Sequence, residues 1–146
     1  MDFFTAIKIS GSALNAQRYR LNIISSNLAN AQTTRTPQGG PYRRQDVVFE
    51  AVPVRSTFDD AMQEALKNSL EGVRVKEVVK DPTPFKLVYD PGHPDADKDG
   101  YVKMPNVNTV VEMVNLINAT RSYEANIAAI DAAKNMALKA LDIANR

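Results

Sequence analysis

Cysteine and tryptophan are absent from this 146-residue chain, and histidine occurs once, at His93. Without a thiol there is no disulfide framework and no thiolate metal site. A single histidine leaves acid–base chemistry at neutral pH with one ordinary candidate. Long apolar runs are missing too: no stretch approaches the roughly 20 apolar residues that cross a bilayer. The opening residues, Met1-Asp2-Phe3-Phe4-Thr5-Ala6-Ile7-Lys8, lack a basic n-region, and no apolar run of signal-peptide length follows, so a cleaved Sec-type leader is not expected. Neither sign of charge is in excess. The formal net charge of +1 divides into +2 over residues 1–31, −1 over 32–106 and 0 over 107–146, which implies no basic face for nucleic acid.

What the chain does have is helical periodicity at both ends. Ile7, Leu14, Leu21 and Leu28 recur at seven-residue steps, as do Leu116, Tyr123, Ile130 and Ala137. A step of seven keeps apolar residues on one narrow stripe of a helix, the requirement of a coiled-coil seam. Residues 3 to about 31 read as one amphipathic helix, with Phe4, Ile24 and Ala31 on the same stripe. Gly11 and Arg18 interrupt it, so the helix is weak alone. Residues 108 to about 144 read as a longer helix after Pro105, capped by Asn108 or Thr109, with Glu112 near its positive end. Met113, Leu116, Thr120, Tyr123, Ile127, Ile130, Lys134, Ala137, Leu141 and Ala144 form its seam, and Ala133 stands beside the interrupting Lys134. Alanine and asparagine crowd its remaining faces, which predicts burial on more than two sides.

All eight prolines lie between positions 37 and 105. Here Tyr42–Glu50, Val73–Val79 and Phe85–Tyr89 are β-branched or aromatic runs bounded by Pro, Gly and Asp, and predict three short strands. Phe58, Met62, Leu66 and Leu70 at four-residue steps predict a short helix over 56–70, or an arm. The expected fold class is α+β: an N-terminal helix over 1–31, a small antiparallel β-rich middle domain over 32–106, and a C-terminal helix over 107–146. The two terminal helices pair as a coiled-coil-like layer.

Candidate chemistry is sparse. Asp95-Ala96-Asp97-Lys98-Asp99-Gly100 reproduces the first half of an EF-hand loop, but its twelfth position is Asn106, preceded by Pro105, and no entry helix precedes it. An Asp-Gly turn leading into Tyr101-Val102 is expected there, with no bound metal. His93 sits between Gly92 and Pro94 with no identifiable partner. Gly39-Gly40-Pro41-Tyr42-Arg43-Arg44 lacks the helix start that would cradle phosphate and reads as a turn feeding a strand. No nucleophile elbow, P-loop or zinc-protease pattern occurs. No catalytic residue, cofactor or small-molecule substrate is expected. Asn30 and Thr33 are local hydrogen-bonding residues where the first helix should stop.

Ser26-Asn27-Leu28-Ala29-Asn30-Ala31-Gln32-Thr33 resembles the N-terminal signature of the bacterial flagellar rod and hook axial proteins. Val111-Glu112-Met113-Val114-Asn115, followed by Arg121-Ser122-Tyr123-Glu124-Ala125-Asn126, resembles their C-terminal signature. Gly39–Arg44, Val47-Val48-Phe49, Asp90–Pro94 and Gly100–Val107 resemble phrases of the short proximal-rod members, with Arg35 a departure where many members carry glycine. The resemblance implies a non-enzymatic subunit of the flagellar rod, exported by the flagellar type III apparatus without a cleaved signal. It implies residence in the basal body across the periplasm, and as partners the chain itself, other rod proteins and the basal-body ring and export apparatus. The interface residues would be Ile7, Leu14, Leu21, Ile24, Asn27, Leu28, Asn30 and Thr33 at one end and Met113, Leu116, Tyr123, Ile127, Ile130 and Leu141 at the other. A soluble helical-hairpin binding module, such as a secretion chaperone or coiled-coil adaptor, is the alternative the periodicity leaves open.

Overall fold

The computed structural model describes residues 3–54 and 70–144, in the order α1 (Phe3–Ala29), β1 (Gln45–Pro53), β2 (Glu71–Lys80), β3 (Lys86–Tyr89), β4 (Tyr101–Met104) and α2 (Thr109–Ala144). Two long helices bracket a small antiparallel β region, the α+β class expected. The helix or arm expected over 56–70 falls almost wholly outside the described residues.

Local chemistry sets the helix ends. α1 runs for 27 residues straight through Gly11, where an added Cβ would meet nothing within 4 Å. It stops where Asn30 Nδ2–H donates to Ser26 O at 2.9 Å and Thr33 N–H donates to Asn30 O at 3.1 Å, giving the last carbonyls partners. Of the two expected caps of α2, Asn108 is the one used: its Oδ1 accepts from Val110 N–H at 3.1 Å and Val111 N–H at 3.4 Å. Thr109 is the first helical residue.

The middle holds two two-stranded sheets, β1–β2 and β3–β4, where three strands were expected. β1 starts at Gln45 and not at Tyr42, because the backbone before it is engaged elsewhere: Tyr42 N–H donates to Thr33 O at 3.0 Å and Arg44 N–H to Asn106 Oδ1 at 2.8 Å. The unexpected strand is β4, four residues too short to show a period of two. It pairs antiparallel with β3.

The described chain divides into two compact units. One holds the described parts of Met1–Tyr19, Phe49–Lys76 and Thr120–Arg146. In it Ser12 Oγ accepts from Val73 N–H at 3.0 Å and donates to Ile9 O at 2.7 Å, fastening α1 to β2. Gly72 is required beside it, since a Cβ there would lie 2.9 Å from Ser12 Oγ and 3.2 Å from Val54 Cγ2. Ala16 and Ala133 are this unit's buried apolar residues, so Ala133 is buried and Lys134 exposed, as the interrupted seam suggested.

The other unit holds Arg20–Val48 and Glu77–Ala119. Ile24, Val102, Pro105, Val107 and Ala119 are buried in it together with two polar residues, Asn27 and Glu112. Gly39 and Gly40 turn the chain ahead of β1 at φ of 89° and 76°, conformations that side chains rarely adopt. Among the described residues no non-glycine, Arg35 included, takes a positive φ. No helix among them is long and apolar enough to cross a membrane.

Candidate functional site

Burying a charged or amide side chain is costly unless every polar atom finds a partner. Asn27 and Glu112 are both 0% exposed, and both are satisfied. Asn27 lies on the last turns of α1. Its Nδ2 donates to Gln45 O at 2.8 Å and to Glu112 Oε2 at 3.0 Å, while its Oδ1 accepts from Tyr42 O–H and Gln45 N–H, each at 3.0 Å. Both donors and both acceptors of the amide are filled.

Glu112 approaches from the first turn of α2, where the helix dipole favours a carboxylate. Its Oε1 accepts from Arg44 Nε–H at 2.8 Å. Arg44 Nη1 also meets Asp46 at 3.1 Å and Asp81 at 3.5 Å, and the Arg44 side chain is 18% exposed. Burial works against the guanidinium charge, but the bond and charge of Glu112, followed by those of Asp46, outweigh it and hold the Arg44 pKa above its ordinary value. Asp81 is held below the usual carboxylate range, first by hydrogen bonds from Thr83 and then by Arg44, with burial opposing.

Asn106 closes the arrangement. Its Oδ1 accepts from Arg44 N–H, and its Nδ2 donates to Thr83 Oγ1 at 2.8 Å, to Thr83 O at 3.2 Å and to Asp81 O at 3.3 Å. Arg43 Nη1 donates to Asp81 O at 2.8 Å while its guanidinium lies 4.3 Å from the Phe85 ring centroid, a cation–π contact. The end of α1, the entry to β1, the exit of β2 and the start of α2 thus meet at one ion-paired, hydrogen-bonded node. Nothing in it resembles a nucleophile with a base. It is a device for holding elements in place.

The residues singled out in the sequence fall into three groups. Asn27, Asn30 and Thr33 are engaged within the chain: Asn27 in the node, Asn30 on Ser26 O, and Thr33 Oγ1 donating to Asn30 Oδ1 at 3.2 Å. Ile7, Leu14, Leu21 and Leu28 are half-buried on α1 and Ile24 is buried, whereas Phe4 is exposed. On α2, Leu116, Tyr123 and Ile130 are half-buried, while Met113, Ile127 and Leu141 are exposed. The Asp95–Gly100 loop is a turn: Asp97 Oδ1 accepts from Asp99 N–H at 3.0 Å and Tyr101 N–H at 2.8 Å, and Gly100 has φ of 81°. His93 Nδ1 accepts from Asp95 N–H at 3.1 Å. Sequence reading did not anticipate Arg44, Asp81 and Asn106 as node members. The one signal available was three polar residues beside strand and helix boundaries, which is also what solvated ends look like.

Two family descriptions match the chain: "Flagella basal body rod protein" over residues 7–35 and "Flagellar basal body rod FlgEFG protein C-terminal" over residues 98–143. The first carries Asn27 and the second Glu112. The chain is 47% identical to the flagellar basal-body rod protein FlgC of Borreliella burgdorferi, covering 98% of both chains. It is 44% identical to that of Bacillus subtilis over 98% of this chain and 99% of the relative, and 46% identical to that of Salmonella typhimurium over 98% of each. The chain belongs to the FlgC family of flagellar basal-body rod proteins. As a FlgC-family chain it is a structural component of the rod, placed in the flagellar basal body. In its polar node each bond fixes one element against another.

Proposed function

We propose that this chain is a proximal-rod subunit, exported by the flagellar type III apparatus without a cleaved signal and assembled through its terminal helices to transmit torque. The observation that carries this reading is the unpartnered apolar surface of α2. Val110, Val111, Met113, Val114 and Ile117 are exposed near its start, and Ile127, Met136, Leu138, Leu141 and Ile143 towards its end. At 100° per residue, Met136 and Ile143 project on the side opposite Ile127, Leu138 and Leu141, so more than one neighbour is needed to cover the helix. Covering such side chains is favourable, by up to about 1.5–3 kcal/mol for one taken from full exposure to full burial, and so favours neighbours packed along the helix.

In this reading the helices at 1–31 and 107–146 form the axial layer and the middle segment faces outwards. The interface residues are Ile7, Leu14, Leu21, Ile24, Leu28, Met113, Leu116, Tyr123, Ile127, Ile130 and Leu141, with the engaged Asn27, Asn30 and Thr33 shaping the end of α1 behind them. Neighbouring rod proteins and further copies of the chain are the partners, with the basal-body ring and export apparatus at the base. Head-to-tail contacts that do not close generate a helical tube. In this reading the stretches of the terminal helices away from Ser12 and the polar node are weakly held in the exported monomer and order fully on joining the rod.

Electron microscopy of basal bodies from a strain lacking the chain, beside its complemented strain, tests this. Rings without a completed rod or hook are expected. Intact hook–basal bodies would overturn the proximal-rod reading.

A further inference from the structure

The β3–β4 ribbon leaves one edge unused. Its register sets Lys86 opposite Met104, Leu87 opposite Lys103, Val88 opposite Val102 and Tyr89 opposite Tyr101. Asp90 N–H donates to Gly100 O at 2.9 Å, so the even-numbered residues of β3 turn their backbone groups towards β4. Tyr101 has the opposite parity: its N–H donates to Asp97 Oδ1 at 2.8 Å and its carbonyl accepts from Asp97 N–H at 2.9 Å, both away from β3. Leu87 and Tyr89, across from Lys103 and Tyr101, therefore direct their N–H and C=O groups to the outer edge. Among the described residues no further strand joins that edge. The side chains are open as well, with Leu87 62% and Tyr89 64% exposed and Val88 exposed between them.

We propose that this edge docks a second copy of itself, β3 against β3, antiparallel about a two-fold axis at Val88. In that register Leu87 stands opposite the second copy's Tyr89, and each such pair exchanges N–H···O bonds through the groups left over at the edge. Leu87 and Tyr89 of both copies then share one face with the edge-to-face pair Tyr89–Tyr101, whose centroids are 5.3 Å apart. Lys86, whose ammonium donates one bond to Val107 O at 3.1 Å and has two N–H groups left, falls opposite the second copy's Asp90, twice by symmetry, so the strand is complementary in charge to its own reverse. A one-residue slip sets outward-facing groups against inward-facing ones, and a two-residue slip removes the Lys86–Asp90 pairs.

Pairing two four-residue edges buries well under the about 1,000 Å² of a stable interface, so the dimer is weak and reversible. A two-fold contact also occupies the edge on both copies and cannot propagate. It belongs to the unassembled subunit and stands independently of the rod reading.

The cysteine-free chain makes the test clean. At the axis, Val88 faces its own copy in a pair without mutual hydrogen bonds, where Cα atoms lie about 4.5 Å apart, inside disulfide range. Full-length Val88→Cys, oxidised at high concentration, is expected to form a disulfide dimer at least about tenfold faster than Leu87→Cys or Tyr89→Cys alone, whose like positions lie too far apart. Mixing Leu87→Cys with Tyr89→Cys is expected to restore rapid cross-linking. In the Val88→Cys background, Lys86→Asp alone and Asp90→Lys alone are expected to slow dimer formation, and mixing those two proteins to recover it. Circular dichroism checks that each variant keeps its helix content. Equal rates for the three single cysteines, no dimer with Val88→Cys, or no recovery on mixing would overturn the proposal. Association through the terminal helices would cross-link without this dependence on position.

Discussion

Asn27 and Glu112 are the two residues on which the second unit depends. Removing the Glu112 carboxylate leaves Arg44 Nε–H and one Asn27 N–H without an acceptor in a buried setting. Glu112→Ala is therefore expected to cost about 3 kcal/mol in urea unfolding, the lower range for breaking a buried pair because Arg44 keeps Asp46 and Asp81. Glu112→Gln, which preserves one acceptor, is expected to cost less. Asp81 contributes to the acid side of the pH dependence. Its folded pKa is below the unfolded value, so its stabilisation is complete above the ordinary carboxylate pKa and is lost as pH falls through the folded one. Urea midpoints measured down an acid series should fall in the wild type, and fall less steeply in Asp81→Asn, which starts lower at neutral pH.

At the scale of elements, two glycines behave in opposite ways for reasons of space and φ. Gly11 sits in the interior of α1 with open space where a Cβ would go, so Gly11→Ala should stabilise the chain by about 1 kcal/mol, seen as a higher melting temperature. Gly100 has φ of 81°, and a Cβ there would lie 2.9 Å from the Tyr89 ring. Gly100→Ala should lower the melting temperature and weaken the β3–β4 pairing, read by amide exchange across the hairpin. The boundaries of these elements were only partly legible. The helices showed themselves through period and caps, since Asn108 and Asn30 act on their own neighbours. The start of β1 did not, because Tyr42 and Arg44 have strand-like side chains but backbone groups drawn away by Thr33 and Asn106, residues distant in sequence.

For the whole molecule, the expectation concerns surfaces that the isolated chain leaves open. Leu21 on α1 is half-buried and Ile127 on α2 is exposed. Leu21→Asp and Ile127→Asp are each expected to block rod growth and abolish swimming while the protein is still made, scored by motility plates, immunoblotting and micrographs of basal bodies. The effect of Ile127→Asp is the more telling, since Ile127 is more exposed than Leu21 and a charge there perturbs the monomer less. Normal motility in both variants would remove the seam from the assembly account.

The sequence alone determined the α+β class, the two long terminal helices, their caps and the family, because each is written in neighbouring residues: a period of seven, a capping side chain, a contiguous signature. It also excluded disulfide and thiolate chemistry outright, through the absence of cysteine. Only the tertiary structure decided that Asn27, Arg44, Asp81, Asn106 and Glu112 form one satisfied polar node, and that the odd-numbered residues of β3 present an open edge. Those are relations between segments far apart in the chain. A buried carboxylate and a solvated one are the same letter until the fold supplies the guanidinium beside it.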